Sequence, residues 1–530
     1  MDEERGGEHD ARPTPGWREL ARSWRLSCVV LLSFSSGLPL GVVWFAIPAW
    51  MARAGVDIKV IGLFTLAQAP WTFKLLWSPW MDRYSPPFLG RKRGWILIAQ
   101  VALMLLGLGL AGVSHDPQAV WVIGAFAFAI AFASATQDIA IDAYAVEVLH
   151  RDEQGFASGA RTALYRFAMF MAGGLAITVA GATSWALVNV LLALLYLPCM
   201  VVTAFSPEPE SLPVPPRTLR EAVWGPFVGF LGRHRSLEIL AFVVLYKLAD
   251  NLSQSLIGPF LIQTGFNDFD VGVARTSIGQ CASIAGTLLG GILTVPMGLG
   301  RALWVFGLLQ LSANLGYAAV AQVGPNRWLM YAAHAFELGS SGLAQGAFGV
   351  LLLRLTQKRF SATQYALLSS LFSLPRILAG PITGVLADAL GWRDFFILTV
   401  FFGIPGMVML SRFVPWGVRD VEFEVLEPAR GRPLSARALA LRASAGAIGS
   451  LLVGVGAVAL VGAFRALRAG RGLDPTPALG ALVAPSTVAD WITCAGLLVL
   501  GGVGGVATAA TLFARRGLEH DDRIRGAHGA

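Results

Sequence analysis

Charge is what this sequence has least of. Only 14% of its 530 residues are Asp, Glu, Lys or Arg, where a soluble domain needs about 25%. That deficit excludes an exterior covered by water. Lysine is confined to Lys59, Lys74, Lys92, Lys247 and Lys358, with arginine supplying the remaining basic residues, a bias that points to a GC-rich bacterial genome. Cysteine is limited to Cys28, Cys199, Cys281 and Cys494. All four fall in or beside apolar runs without metal-ligand spacing, so buried thiols are expected and a disulfide framework is excluded. Among the seven histidines, His334 alone lies inside an apolar run, and no H-E-x-x-H occurs. With no soluble catalytic domain either, an enzyme is not expected, and no cofactor or metal is implied.

The net charge of +8 raises the question of nucleic acid. The basic residues lie in short loops between apolar runs instead of on one face or stripe, so nucleic-acid binding is excluded and they read as topology signals.

Hydrophobic residues make up 55% of the chain, and glycine is plentiful at 60. Apolar runs of 18 residues or more are long enough to cross a hydrocarbon core of about 30 Å. Small residues let such helices pack closely. The spacing predicts fourteen spans: 26–50, 59–80, 94–113, 118–145, 156–181, 184–205, 236–263, 270–293, 301–322, 327–352, 362–387, 393–414, 437–464 and 484–514. The first run is too long for a signal peptide and no A-x-A site follows it, so it is expected to remain in the mature protein.

Basic residues favour one side of the membrane by about four to one. The other side holds Arg53, Lys59, Arg327, Arg393, Arg465, Arg468 and Arg471. Both termini are therefore expected in the cytoplasm. Residues 206–235, rich in proline, lie between spans six and seven, where two six-helix halves would join. Ala172-Gly173 and Ala379-Gly380, like Arg93 and Arg301, are separated by a near-constant offset, as an internal duplication requires. The expected all-α membrane architecture is a cytoplasmic tail (1–25), a six-helix half (26–205), a cytoplasmic linker (206–235) and a second half (236–414). A second linker (415–436), two extra helices (437–514) with a peripheral role, and a cytoplasmic tail (515–530) complete it.

Several residues carry chemistry. The loop after span two runs from Asp82-Arg83 through Gly90-Arg91-Lys92-Arg93 and resembles the cytoplasmic signature of the major facilitator superfamily. An acid at a helix end can pair with basic groups and hold two helices in one gating state, so Asp82, Arg83, Gly90, Arg91 and Arg93 are candidate gating residues. Plain positive-inside charge is the alternative. A looser match, Gly384-x-x-x-Asp388-x-x-Gly391-x-Arg393, falls on the other side and reads as a structural turn.

Ionisable groups inside a bilayer are costly and face a cavity or a partner. Span four carries Ser134, Asp138 and Asp142 on one face, with Gln137 beside them. Two carboxylates one turn apart repel when both are ionised, which makes Asp138 and Asp142 candidate proton carriers. Ion pairing with neighbouring Arg or Lys is the alternative. Span seven carries Lys247, Asp250, Asn251 and Gln254 on one face, and Lys247 and Asp250 could pair with each other. Lys74, Arg166 and Arg376 are cations within spans two, five and eleven. Guanidinium suits carboxylate or phosphate, so the three point either to an anionic solute or to neutralisation of Asp138, Asp142, Asp250 and Glu337. His334 and Glu337 lie one turn apart on span ten, as a proton relay or as a structural pair. Glu337 and Asp250 thus join Asp138 and Asp142 as candidate proton-coupling residues, and Lys74, Gln137, Arg166, Lys247, Asn251, Gln254 and Arg376 are candidates for the solute pathway. Gly37 and Pro39 in span one predict a helix break, either on the solute pathway or as a packing kink.

Six stretches resemble the AmpG-type muropeptide permeases, in the AmpG and acetyl-CoA transporter branch of the major facilitator superfamily. They are Ser36-Gly37-Leu38-Pro39-Leu40, Phe73-Lys74-Leu75-Leu76-Trp77-Ser78-Pro79, Asp82-Arg83-Tyr84, Ser134-Ala135-Thr136-Gln137-Asp138-Ile139, Tyr246-Lys247-Leu248-Ala249-Asp250 and Phe360-Ser361-Ala362-Thr363-Gln364. The fourteen-span count fits as well. One departure is Ala145-Val146 after Asp142-Ala143-Tyr144, where a polar or charged residue belongs in that family. The resemblance implies a monomeric, proton-driven symporter in the bacterial inner membrane. Its solute would be an anionic glycopeptide, N-acetylglucosaminyl-anhydro-N-acetylmuramic acid with or without peptide, taken from periplasm to cytoplasm for cell-wall recycling. In some bacteria that flow feeds β-lactamase induction and so antibiotic resistance. Acetyl-CoA or another anionic metabolite, and a sensor that has lost transport, remain the alternatives.

Overall fold

The computed structural model describes residues 23–57, 64–114, 119–210, 214–233, 235–421, 423, 434–468 and 470–516. Among them, eleven helices are long and apolar enough to cross a membrane. They are α1 (Trp24–Arg53), α3 (Arg93–Val113), α4 (Val120–Val148), α5 (Gln154–Ala182), α6 (Trp185–Phe205), α8 (Phe269–Met297), α9 (Leu299–Val323), α10 (Arg327–Leu355), α12 (Trp392–Phe413), α13 (Ala436–Arg468) and α14 (Val488–Arg516). The segmented helices α2 (64–83) and α7 (236–263), with α11 (Ser361–Leu390), complete the fourteen. The short α5–α6 connection is settled locally: Ser184 caps α6 by accepting the Leu187 amide at 3.2 Å. Gly391, at φ +77, ends α11 and opens α12, as the structural-turn reading expects.

Helices α1–α6 form one half and α7–α12 the other. Their duplication shows in equivalent contacts: Arg93, opening α3, donates to the Ser206 carbonyl just past α6. Arg301, in the first turn of α9, donates to the Gly417 carbonyl just past α12 at 3.2 Å. Linker 206–235 contains a helix, Leu219–Leu231, capped by Thr218, which the proline-rich composition of that linker did not announce. Trp224 of this linker helix packs against Phe513 of α14, ring centroids 6.1 Å apart. Helices α13 and α14 approach through glycine, as at Gly504, where a Cβ would meet the Ser450 hydroxyl at 1.8 Å.

The break expected at Gly37 and Pro39 is displaced. Helix α1 stays α-helical through Gly41 and widens to a π-turn at Val42–Ala46. Gly37 instead allows close packing, since a Cβ there would lie 2.2 Å from the Tyr165 carbonyl of α5. The sharper interruptions are elsewhere. Helix α2 alternates 3-10 and α turns, with Lys74 opening the 3-10 turn Lys74–Leu76. Pro70 and Pro79 sit in the first turns of its α-helical pieces, where a missing N–H costs least. Helix α7 comes in three pieces, Ser236–Leu245, Leu248–Gln254 and Ile257–Gln263, with Lys247 at the first break. A lysine thus marks an interruption in each half, and interrupted helices of this kind line solute paths.

The halves meet asymmetrically. Toward the end bearing Asp82, one apolar core runs through both, joining Met81, Ile96 and Tyr144 to Phe242, Leu303 and Phe348. Toward the opposite end each half has its own core, around Leu38, Trp50 and Ile123 in one and Phe260, Tyr317 and Phe396 in the other. The bundle is closed at the Asp82 end and divided at the other.

Candidate functional site: two polar clusters above the closed end

The closed end is built on Asp82, 1% exposed at the end of α2. Its Oδ1 accepts from Lys92 Nζ at 2.8 Å, Arg91 Nη2 at 3.2 Å and the Ala362 amide at 3.1 Å. Its Oδ2 accepts from the Thr363 amide at 2.8 Å and the Thr363 hydroxyl at 2.7 Å. Asp82 therefore caps the N-terminus of α11 from the other half, where unsatisfied amides and the helix dipole favour an anion. Glu147, at the end of α4, takes the Ser361 hydroxyl at 2.5 Å and stands 3.8 Å from Lys92 and 3.9 Å from Arg91. Arg91 also donates to the Arg359 carbonyl at 3.0 Å.

The other candidate gating residues act around this knot. Gly90, at φ +73, abuts Glu208, whose carboxylate Arg93 binds. Arg83 is half-buried over the Tyr84 ring, 5.3 Å from its centroid, outside the network. Lys92 and Glu147 belong to it although the sequence did not single them out. Lys92 read as one more topology charge, and Glu147 was one acid at a helix end among many.

In the N-terminal half, α4 turns its two aspartates to different partners. Asp142 pairs with Arg161 Nη2 at 2.5 Å and with Lys74 Nζ at 3.9 Å. Asp138 accepts from Ser36 of α1. Arg161 also donates to the Ser33 hydroxyl at 3.1 Å and bonds Tyr365 of α11. Arg166, one turn and a residue further along α5, reaches across to the Ser283 hydroxyl of α8 and to Gln345 Oε1 of α10 at 2.6 Å. Asp138, Asp142, Arg161 and Arg166 are only half-buried. Gln137 faces the other way, fully buried, and donates to Ser35 at 2.5 Å beside Gln100 and Thr203. That places it in the interior of the half, away from the seam. Arg161 was missed: it lies five residues before Arg166 and about 140° around α5 from it, and its proximity to Asp142 is a tertiary fact.

In the C-terminal half the polar groups are sealed. Lys247 Nζ is ringed by Asp250 Oδ2 at 3.0 Å, Gln310 Oε1 at 2.7 Å, Ser341 Oγ at 2.7 Å and the Ser341 carbonyl at 3.1 Å. The pairing of Lys247 with Asp250 is therefore realised. Asn251 donates its side-chain amide to the Lys247 carbonyl at 2.8 Å, beside its own backbone N–H at 3.0 Å. Gln254, half-buried, is next along this face. Glu337, 0% exposed, receives the Tyr317 hydroxyl at 3.5 Å, and that oxygen lies 2.6 Å from His334 Nδ1. Arg376 lies on α11, its side chain outside the described residues.

Residues 29–380 match the family model of the Major Facilitator Superfamily. The chain is similar to proteins named anhydromuropeptide permease from Escherichia coli K12 and O157:H7. Each is 40% identical over 389 residues, covering 73% of this chain and 79% of theirs. It is also 33% identical over 394 residues to an uncharacterized protein of Haemophilus influenzae, covering 72% of this chain and 92% of the other.

Proposed function

The chain belongs to the Major Facilitator Superfamily, as a multi-pass transporter and not an enzyme, and on that premise we propose that it imports anhydromuropeptides, driven by the proton gradient. The proposal includes passage from periplasm to cytoplasm across a bacterial inner membrane, by a monomer with both termini cytoplasmic. The same orientation makes the Asp82 end cytoplasmic, so the divided end opens to the periplasm and the described state is the one that receives solute.

One observation carries the choice of solute. Three cations, Lys74, Arg161 and Arg166, converge at the seam above the gate: Lys74 and Arg161 share one carboxylate, Asp142, and Arg166 holds Ser283 and Gln345. At about 1.5 Å rise per residue, Arg166 lies roughly 18 Å along α5 from its gate end, near mid-membrane. A lactyl or peptide carboxylate entering from the divided end would meet Arg166 in bidentate geometry, exchanging its hydrogen bonds to Ser283 and Gln345 for charge-assisted ones. Lys74 and Arg161 extend the same positive floor. Arg376 would add to it from α11.

Gating follows from Asp82. Import requires that its bonds to the start of α11 break as the seam parts on the cytoplasmic side and closes on the periplasmic side. The three π-turns, at Val42–Ala46, Met171–Leu175 and Val273–Ile278, give α1, α5 and α8 places to bend above that seam.

The test is uptake of labelled anhydromuropeptide into vesicles holding the protein, with and without an imposed proton gradient. Gradient-dependent accumulation blocked by unlabelled anhydromuropeptide, and untouched by acetyl-CoA, is expected. Block by acetyl-CoA alone would move the assignment to that metabolite. Binding without accumulation would make the protein a sensor.

A further inference from the structure

The C-terminal cluster contains one carboxyl more than its cation can neutralise. The Asp250 and Glu337 carboxyls lie within hydrogen-bonding reach of each other, and both are buried, at 8% and 0% exposure. Asp250 Oδ1 and Glu337 Oε1 are both shut off from solvent, and the Gln254 side chain also reaches Glu337. Two carboxylates cannot bond unless one carries a proton. Among the described residues Lys247 is the cation in contact with the cluster, so with both acids ionised it would face two negative charges in the membrane interior. Beside them, Asn314 is 1% exposed with neither amide atom bonded, and His334 Nε2 is buried without a partner.

We infer that the Asp250–Glu337 pair is the coupling-proton site, set apart from the solute cations of the other half and joined to them along α10. The inference rests on the proton-driven reading above. Its geometry is a stripe: His334, Glu337, Ser341 and Gln345 recur every three or four residues on one face of α10. His334 lies toward the divided end, and Tyr317 bridges its Nδ1 to Glu337. A proton reaching His334 passes through the Tyr317 hydroxyl, which takes one proton from the ring and gives its own to Glu337. The pair then holds one proton, and the cluster of Lys247, Asp250 and Glu337 is neutral. At the other end of the stripe, Ser341 holds Lys247 and Asp250, and Gln345 holds Arg166. Loss of the proton leaves a second negative charge for Lys247 to face, pulls it from Ser341, and shifts α10 against Arg166.

The groups facing the pair are few. Lys247 and Tyr246 come from α7, Tyr317 from α9 and His334 from α10, with Arg275 of α8 in electrostatic reach of His334. Among the described residues, α11 and α12 bring the uncharged Thr383, bonded to Ser255 at 2.9 Å, and Gly403, against Ala249.

The experiment is an infrared pH titration of the ligand-free, full-length protein in lipid, run beside the vesicle assay. Wild type should show a protonated-carboxyl C=O band that shifts in D2O and disappears at alkaline pH. Glu337→Gln should abolish it. Asp250→Asn should abolish it too, because Glu337 then becomes the counter-ion of Lys247 and ionises. Asp138→Asn and Asp142→Asn should keep it. A band that survives in both Glu337→Gln and Asp250→Asn, or that vanishes in Asp138→Asn, overturns the assignment. In vesicles Glu337→Gln should lose gradient-driven accumulation and keep counterflow exchange, and retained accumulation overturns it equally. Failure of wild type to move anhydromuropeptide would refute the import reading alone, since the band requires no solute.

Discussion

The two halves descend from one fold, yet their polar interiors differ in sign and in access. The N-terminal half sets Lys74, Arg161 and Arg166 against Asp138 and Asp142, with most of these groups half-buried at the seam. The C-terminal half sets Lys247 against Asp250 and Glu337, all buried. An open, cation-rich cluster suits an anionic solute that must arrive and leave. A sealed, acid-rich cluster suits a proton, the one ligand needing no cavity. The difference teaches that burial and charge balance together, and not the presence of ionisable residues alone, would separate the two proposed tasks.

The strongest way to break this comparison is to remove the central cation of the sealed half. Lys247→Met leaves Asp250 without its counter-ion and strips Gln310 and Ser341 of their donor. A loss of about 3–5 kcal/mol is expected, as for other broken buried pairs, read as a lower thermal unfolding temperature in detergent. The deficit should shrink as pH falls, because protonating the stranded carboxyl removes the uncompensated charge. Arg161→Met should cost less, since Lys74 continues to face Asp142. Equal losses would mean that the open cluster is as structural as the sealed one.

Next in size is solute affinity. Arg166→Gln removes the cation that spans the seam, and loss of charge-assisted hydrogen bonds worth about 1.5–3 kcal/mol weakens anhydromuropeptide binding by roughly 10–100-fold. Arg166→Lys keeps the charge without the fork and should fall between. Calorimetry on ligand binding checks both. Unchanged affinity in both variants would remove Arg166 from the solute path.

A smaller effect sharpens the contrast between the two ends of the bundle. Asp82→Asn removes the anion at the N-terminus of α11, worth about 1–2 kcal/mol. The gate should then open in a roughly 5–30-fold larger fraction of molecules, read by thiol labelling of a cysteine placed below the gate. Gly291→Ala should act in the same direction by sterics, because its Cβ would lie 2.4 Å from the Gly155 carbonyl across the seam. If neither variant raises labelling, the knot around Asp82 is not the gate.

Much of this was legible before any coordinates. Fourteen apolar runs gave the helices, and the lysines and acids within them gave most members of both clusters, because an ionisable group in a bilayer must have a purpose. What could not be read was which groups meet. Arg161 and Glu147 look like ordinary helix-end or mid-helix charges until α4 is packed against α5, α3 and α11. Gln137 sits beside Asp138 in sequence but about 100° around the helix, which sends it into the interior. The breaks were misplaced to Gly37 and Pro39 because proline is a visible signal. The interruptions at Lys74 and Lys247 have no proline or glycine at the break itself to mark them.

The smallest effect compares two carboxylates that cap helices alike in different surroundings. Asp420, beyond α12, accepts from Arg354 at 2.7 Å and from the Leu299 amide opening α9 at 3.3 Å. It does for α9 what Asp82 does for α11, but its side chain is 54% exposed. Burial pushes the Asp420 carboxyl up. The Arg354 bond and charge, the Leu299 amide and Arg419 outweigh that and hold it below the usual carboxylate range. A carboxyl lowered on folding contributes its stabilisation above its unfolded value of about 3.9 and loses it as pH falls through the folded value. Solvent screening limits the contribution to about 0.2–1 kcal/mol. Asp420→Asn should therefore lower the unfolding temperature slightly at neutral pH and match wild type in strong acid. A loss as large as that of Asp82→Asn in the same assay would mean that burial adds nothing to a capping carboxylate in this fold.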